Sequence, residues 1–256
     1  MVLRGVAGPF PLMPARRRAY VAVLLLVVVA ATLTVLTTRA RASVGRCERF
    51  AAESAARAEQ VSGSGERVVV IGDSYSVGLG LENPESSWPS RLAGTIQVAG
   101  FSGSGFSAGD SPCGDVSFAD RARAAVRGGA DLVVVEGGLN DFDQSSSAVE
   151  LGFGRLMASL AGHRVVVVGP ASAPSRLDAV PRVDDLLATL ADRYGVPYVR
   201  TAGLDLSYLP DGLHLTPAAH RIFGDYVAAR VAALHSTDVL TAPPGPSGRP
   251  GSPRSS

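Results

Sequence analysis

A serine, a histidine and an aspartate in this chain have the types and spacing that nucleophilic catalysis requires. Ser74 ends a Gly-Asp-Ser segment, and Asp211 precedes His214 by three residues. In a turn, this spacing lets the Asp211 carboxylate accept the Nδ1–H of His214, which leaves Nε2 to take a proton from a serine hydroxyl. Asp205 is a weaker candidate for the same carboxylate. These residue types predict acyl transfer through a serine nucleophile.

The placement of the histidines narrows the choice of base. The chain has four histidines, and the order of predicted strands and helices separates them. His163 precedes a predicted strand, whereas His220 lies inside the last predicted helix and His235 lies near its end. His214 alone falls in a loop after a strand, directly before that helix. His214 is therefore the predicted base.

Two further segments carry groups that could stabilise a negatively charged oxygen. Asn140 follows a predicted strand in the segment Gly-Gly-Leu-Asn-Asp, and its amide can donate a hydrogen bond without carrying charge. Gly103 offers a backbone N–H in a glycine-rich turn, and Gly105 is an alternative that the sequence does not separate from it. The backbone N–H of Ser74 is expected to face the same space as the Ser74 hydroxyl. Asp73 is interpreted as a residue that stabilises the turn.

Apolar runs of strand length alternate with helical stretches along the chain. The predicted strands span residues 67–71, 96–99, 132–136, 164–168 and 196–199. The predicted helices span residues 47–60, 88–93, 118–127, 148–160, 183–194 and 217–234. This alternation predicts a parallel sheet between helical layers, and ligands bind such sheets at the carboxyl ends of the strands. Ser74, Asn140 and His214 are therefore expected to meet there.

Four short segments occur in an order that resembles the SGNH hydrolase superfamily, also called GDSL esterases and lipases. They are Gly72-Asp73-Ser74, a glycine after the second strand, Gly138-Leu139-Asn140-Asp141 and Asp211-x-x-His214. The resemblance covers residues 66–234. It implies an α/β fold, a three-layer α/β/α sandwich with a five-stranded parallel sheet of the flavodoxin-like type. It also implies Ser74 as nucleophile, His214 as base, Asp211 as its partner, and Ser74, Gly103 and Asn140 as oxyanion hole.

Where this chain has Leu139, the family often has threonine. Where it has Val98, five residues before Gly103, the family often has asparagine. The expected substrates are carboxylic esters of small molecules, lipids or acylated glycans, hydrolysed without a cofactor or a metal. Two other functions stay open on the same fold: transfer of an acyl group to a sugar or glycan hydroxyl, and glycan binding by an inactive domain.

Ser107 is an alternative nucleophile, because residues 105–109 match the pattern Gly-x-Ser-x-Gly. In α/β-hydrolases that pattern forms a turn between a strand and a helix. Here Asp-Ser-Pro follows at residues 110–112 in place of a helix. The sequence therefore favours Ser74 over Ser107.

An uncharged run spans residues 19–38, behind three arginines at 16–18. At about 1.5 Å per residue, it can cross the roughly 30 Å core of a bilayer. We interpret it as a signal anchor or as the apolar part of a cleaved signal peptide. Residues 1–18 precede it, and residues 39–65 follow it as a juxtamembrane segment and first helix. Either interpretation places the hydrolase domain, residues 66–235, outside the cytosol. There Cys47 and Cys113 are expected to form a disulfide, the alternative being two unpaired thiols.

The charge composition argues against a nucleic-acid partner. The 256 residues carry 24 basic side chains, all of them arginine, and 23 acidic ones, for a net charge of +1. Because positive charge is not clustered, no nucleic-acid partner is expected. Residues 236–256 are rich in Pro, Gly and Ser and are predicted to form a disordered tail.

Overall fold

A long helix precedes the sheet. The structure, a computed structural model, describes residues 15–241, and the chain divides after Cys47 into two units. Helix α1 spans Ala15–Glu59. Its apolar side chains are exposed, Leu26 to 72% and Leu36 to 55%. By length and composition it is the one helix among the described residues that could cross a membrane, which fits a signal peptide or an anchor. Of the predicted segment 1–18, residues 1–14 lie outside the described residues.

Within the described part of the chain, six strands form one sheet. They are β1 (Ser62–Ser64), β2 (Arg67–Gly72), β3 (Gly94–Gly100), β4 (Leu132–Glu136), β5 (Val165–Val168) and β6 (Tyr198–Val199), in the spatial order β1-β3-β2-β4-β5-β6. Strands β2 to β6 pair in parallel, as predicted, whereas β1 pairs antiparallel with β3. The observed sheet therefore has one edge strand more than the five strands predicted from the sequence. Because β1 has the sequence Ser-Gly-Ser, with no apolar or β-branched residue, nothing in its local sequence indicates a strand.

The remaining α-helices of the described chain follow the strands. They are α2 (Ser74–Val77), α3 (Phe118–Ala125), α4 (Ser146–Ser159), α5 (Val180–Arg193) and α6 (Pro217–Thr241). The helix predicted at 88–93 is a short 3-10 helix, Trp88–Arg91. Helix α6 includes residues 236–241, which were predicted to belong to the tail. Residues 242–256 of that predicted tail lie outside the described residues.

Alternate residues of the central strands pack on opposite faces of the sheet. On β2, Val70 belongs to a core that contains Phe223 of α6. Its neighbour Val69 belongs to a second core, with Phe118 of α3 and Phe153 of α4. Burial on both faces explains why these strands are continuous valine runs instead of alternating polar and apolar residues. The predicted three-layer α/β/α architecture is thereby confirmed.

The strand order fixes where a ligand can bind. Without β1, the sheet follows the flavodoxin-like order, in which the first parallel strand, β2, lies between the second, β3, and the third, β4. The connections after β2 therefore lead away from those after β4 and leave a crevice at the carboxyl ends of the strands. Ser74 follows β2 and Asn140 follows β4 at this crevice.

Candidate active site

Ser74 lies directly after β2, at the carboxyl end of the sheet. Helix α2 begins at Ser74, and Asp73 caps it by accepting a hydrogen bond from the Tyr75 N–H at 2.9 Å. Ser74 is only 7% exposed. The buried strand on one side and the capped helical turn on the other hold the position of this hydroxyl.

His214 lies in the loop before α6 and reaches Ser74. Its Nε2 is 3.1 Å from Ser74 Oγ, and its Nδ1 is 2.6 Å from Asp211 Oδ2. The other Asp211 oxygen accepts hydrogen bonds from the backbone N–H groups of Leu213 and His214, at 2.9 and 3.0 Å. Partial burial acts to raise the pKa of Asp211, but the hydrogen bonds from His214 and Leu213 outweigh it and lower that pKa to about 2. Asp211 is therefore ionised at neutral pH, next to the imidazole that it orients.

Asn140 lies in the short 3-10 turn after β4, Leu139–Asp141. Its Nδ2 donates to the Ser104 carbonyl at 2.8 Å and to Asp73 Oδ2 at 3.2 Å. These contacts place Asn140 beside both the Ser74 segment and the Gly103 segment. Asp73, which the sequence indicated only as a turn residue, thus also contacts the predicted oxyanion donor.

Gly103 and Gly105 have different surroundings. Gly103 is half-buried and has a φ of +79°, in the left-handed region that favours glycine. Gly105 is buried, and its carbonyl accepts a hydrogen bond from the Phe118 N–H at 2.9 Å. A side chain at Gly105 would overlap the carboxylates of Asp110 and Asp141. Gly103 therefore stays the predicted donor, with Gly105 as the alternative.

Three buried carboxylates lie close to the site. Asp141 accepts hydrogen bonds at 3.0 and 2.8 Å from the two backbone N–H groups of residues 106–107. Glu136 accepts one from Ser76 Oγ at 2.8 Å. Burial raises the pKa of Asp141 and of Asp73 to about 6, and it raises the pKa of Glu136 well above its ordinary value. The hydrogen bonds of these groups hold the loops around the site, although burial disfavours the charged form of each carboxyl group.

The structure separates two alternative candidates from this arrangement. The Oγ of Ser107 is 3.2 Å from Gln144 Oε1 and accepts a hydrogen bond from the Gly109 N–H. His214 hydrogen-bonds Ser74 and not Ser107. The carboxylate that contacts His214 is Asp211 and not Asp205. The nucleophile-elbow alternative at Ser107 is therefore not favoured.

Of the other histidines, His163 and His220 make no hydrogen bond to Ser74 among the described residues. His163 precedes β5, at the amino end of the sheet. His220 is buried in α6, where its Nδ1 accepts a hydrogen bond from the Trp88 N–H at 3.4 Å. Burial lowers the pKa of His220 to about 4, and the charge of His214 acts in the same direction. The side chain of His235 lies outside the described residues.

Cys47 and Cys113, the two cysteines of the chain, are both disulfide-bonded, which confirms their predicted pairing. A disulfide fits an extracytoplasmic location. Within residues 15–241, no group of three or more His, Cys, Asp or Glu side chains is arranged to hold a metal ion.

Two residues near the site, Ser104 and Arg121, were not predicted from the sequence. The Ser104 carbonyl accepts from Asn140, and the Ser104 hydroxyl accepts from the guanidinium of Arg121 at 2.9 Å. In the sequence, Arg121 is one of two arginines of α3 and is not distinguishable from the exposed Arg123. No local signal could have identified it.

Comparison with solved structures shows the same fold in known esterases. A carbohydrate acetylesterase from Sinorhizobium meliloti superposes with a TM-score of 0.56 at 22% sequence identity, over 66% of this chain and 100% of that chain. An aryl esterase from M. smegmatis superposes with a TM-score of 0.54 at 21% identity, over 66% and 100% of the two chains. No curated protein sequence matches the chain.

The sequence profile of the GDSL-like lipase/acylhydrolase family matches residues 70–222. This range is more than half of the chain and includes every segment of the candidate site, from Gly72 to His214. The resemblance to SGNH hydrolases is thereby confirmed, and ester hydrolysis in general is supported. The chain belongs to the GDSL-like lipase/acylhydrolase family.

Proposed function

We propose that this protein is an extracytoplasmic serine esterase that hydrolyses carboxylic esters through Ser74, His214 and Asp211. One observation carries the proposal: the hydrogen-bonded series from Ser74 Oγ to His214 Nε2 and from His214 Nδ1 to Asp211, at 3.1 and 2.6 Å. This is the geometry in which an imidazole can remove the serine proton while a carboxylate stabilises the imidazolium that forms.

The reaction is a double displacement. As Ser74 Oγ bonds to the ester carbonyl carbon, His214 Nε2 takes the hydroxyl proton and the carbonyl electron pair moves to its oxygen. When this oxyanion collapses, the bond to the alcohol oxygen breaks and His214 returns the proton to the leaving alcohol. Water then attacks the acyl-enzyme in the same way, which releases the acid and restores Ser74.

The proposed oxyanion donors are the N–H groups of Ser74 and Gly103 and the side-chain amide of Asn140. Support comes from the contact between Asn140 and the Ser104 carbonyl, which brings the amide beside the Gly103 turn. The charge that these donors stabilise develops only in the transition state, so they act on kcat more than on KM. Each donor is expected to contribute roughly 10²–10³ in kcat.

The proposed substrates are esters with acyl or O-acetyl groups on small molecules, lipids or glycans. Similarity to a carbohydrate acetylesterase and to an aryl esterase supports short acyl groups as the first to test. The apolar part of α1, residues 19–38, would tether the hydrolase domain, residues 66–235, to the outer face of a membrane or be removed during secretion. The disulfide supports this location.

The proposal is tested with a p-nitrophenyl ester series, C2 to C12, on the full chain in detergent. Ser74→Ala is compared with Ser107→Ala, and circular dichroism verifies that each variant folds. Activity and fluorophosphonate labelling should disappear with Ser74→Ala and persist with Ser107→Ala. A folded wild-type protein that reacts with fluorophosphonate but hydrolyses no ester would contradict the proposal and favour acyl transfer to a glycan. One that does neither would favour glycan binding.

A further inference from the structure

A guanidinium group lies beneath the turn that carries Gly103. Arg121 projects from α3, and its Nη2 donates to the carbonyl of Gly72 at 3.0 Å and to Ser104 Oγ at 2.9 Å. Its Nη1 donates to the carbonyl of Ala99, and its Nε donates to the carbonyl of Val116 at 2.9 Å. One side chain therefore joins the end of β2, the end of β3 and the turn after β3.

The same contacts extend to the Asn140 amide. Ser104 accepts from Arg121 through its hydroxyl, donates that hydroxyl to the Phe101 carbonyl at 2.8 Å, and accepts from Asn140 through its own carbonyl at 2.8 Å. Asn140 also donates to Asp73, which directly precedes Ser74. The three proposed oxyanion donors thus belong to segments that Arg121 contacts directly or through Ser104.

The charge of Arg121 is retained at this position. Its four acceptors are uncharged oxygens, so these hydrogen bonds do not neutralise the guanidinium. Burial lowers the pKa of Arg121 to about 10, and the nearby carboxylates of Asp73 and Asp110 act to raise it. The group is therefore positively charged at neutral pH and is joined through Ser104 to the Asn140 amide.

We propose that Arg121 is a positioning residue for the oxyanion hole: it fixes the Gly103 turn relative to Ser74 and Asn140 and adds a positive charge behind them. This proposal rests on the proposed esterase function. A positioning role predicts a specific kinetic signature, because a misplaced donor weakens binding of the transition state and leaves binding of the ester almost unchanged. A displacement of about 1 Å in a catalytic group can cost roughly 10²-fold in rate.

The experiment compares Arg121→Ala with Arg123→Ala, the same change at an exposed position of the same helix, in the full chain. Active sites are titrated with a fluorophosphonate, so that kcat refers to folded enzyme alone. We expect kcat for p-nitrophenyl acetate to fall about 10²-fold in Arg121→Ala, with KM within about threefold of wild type. The inhibition constant of phenylboronic acid, whose tetrahedral adduct carries negative charge, should rise by a similar factor. Guanidinium at non-denaturing concentration should restore part of kcat in Arg121→Ala and have no such effect in Arg123→Ala.

An unchanged kcat per titrated site in Arg121→Ala would overturn the proposal while the esterase function stands. A loss in folded Arg121→Ala that guanidinium leaves unrestored would also overturn it. If Arg121→Ala does not fold, Ser104→Ala decides, because it removes only the hydroxyl between Arg121 and the turn. A lower kcat with unchanged KM then supports the proposal, and an unchanged kcat overturns it. Wild-type protein that is inert to both ester and fluorophosphonate would overturn both proposals together.

Discussion

Replacing Asp211 by asparagine tests the orientation of His214 with almost no change in shape. In the native loop, one Asp211 oxygen faces His214 Nδ1 and the other accepts two backbone N–H groups. Those two N–H groups fix which end of an asparagine amide can face them, since only its oxygen can accept. The amide NH₂ would then face Nδ1, force His214 into the tautomer with the proton on Nε2, and leave no acceptor for the Ser74 proton.

The size of the loss in rate follows from the rearrangement that would make His214 productive again. The asparagine can flip and accept from Nδ1, which loses two backbone hydrogen bonds, about 1–3 kcal/mol in total. The bond to the imidazolium then becomes neutral instead of charge-assisted, which costs about 1–1.5 kcal/mol more. Together these losses correspond to roughly 30- to 2,000-fold in rate. Because the Asp211 side chain is 48% exposed and partly screened by water, the lower part of the range, about 10²-fold, is expected for Asp211→Asn.

The assay is kcat/KM for p-nitrophenyl acetate, measured per titrated active site. Asp211→Ala provides the comparison, because water can enter its half-exposed position and accept the Nδ1–H. We therefore expect Asp211→Ala to keep more activity than Asp211→Asn. An Asp211→Asn enzyme within threefold of wild type, or more active than Asp211→Ala, would refute the assignment of Asp211 as the partner of His214.

Three further outcomes are expected. Asn140→Ala should lower kcat by roughly 10²–10³ with little change in KM, and an unchanged rate would remove Asn140 from the site. The raised pKa values of Asp73 and Asp141, about 6, mean that the folded state binds more protons than the unfolded state between about pH 4 and 6. His220, with its pKa lowered to about 4, acts in the opposite direction over this range, but the two carboxylates together outweigh one histidine. The free energy of unfolding should therefore rise as the pH falls from 7 towards 4, and urea titrations that show a fall would contradict this sign. Reduction of the disulfide should lower the free energy of unfolding by about 4 kcal/mol, the entropy of closing the loop between Cys47 and Cys113, and a Cys113→Ser variant should not respond to reductant.

The sheet was predictable where one residue type dominates. The valine runs of β2, β4 and β5 are typical of strands that are buried on both faces, and their observed bounds differ from the predicted ones by no more than one residue. The helix predicted at 88–93 is a single 3-10 turn, with Pro89 near its start. The antiparallel strand β1 was not predictable, because it depends on the free edge of β3 and not on its own sequence.

The candidate site was predictable where residues follow strand ends. The chain order of Ser74, Asn140 and His214 indicates a common edge of a parallel sheet, and the structure places them there. The hydrogen bonds that hold the oxyanion segments were not predictable. Arg121 and Ser104 come from a helix and a turn that are distant in sequence, and only the folded chain decides that the guanidinium faces the turn.

The two edges of the sheet also bear on association between molecules. At one edge, β6 has two residues, and at the other, β1 has three and is exposed. Gly63, at the centre of β1, has a φ of +80°, which interrupts the extended backbone that a further strand would need. Long, flat edge strands with unpaired N–H and C=O groups are the usual templates for intermolecular β-pairing. With such short and interrupted edges, the sheet offers little surface on which a second molecule could extend it, and the folded domain is protected against edge-to-edge aggregation.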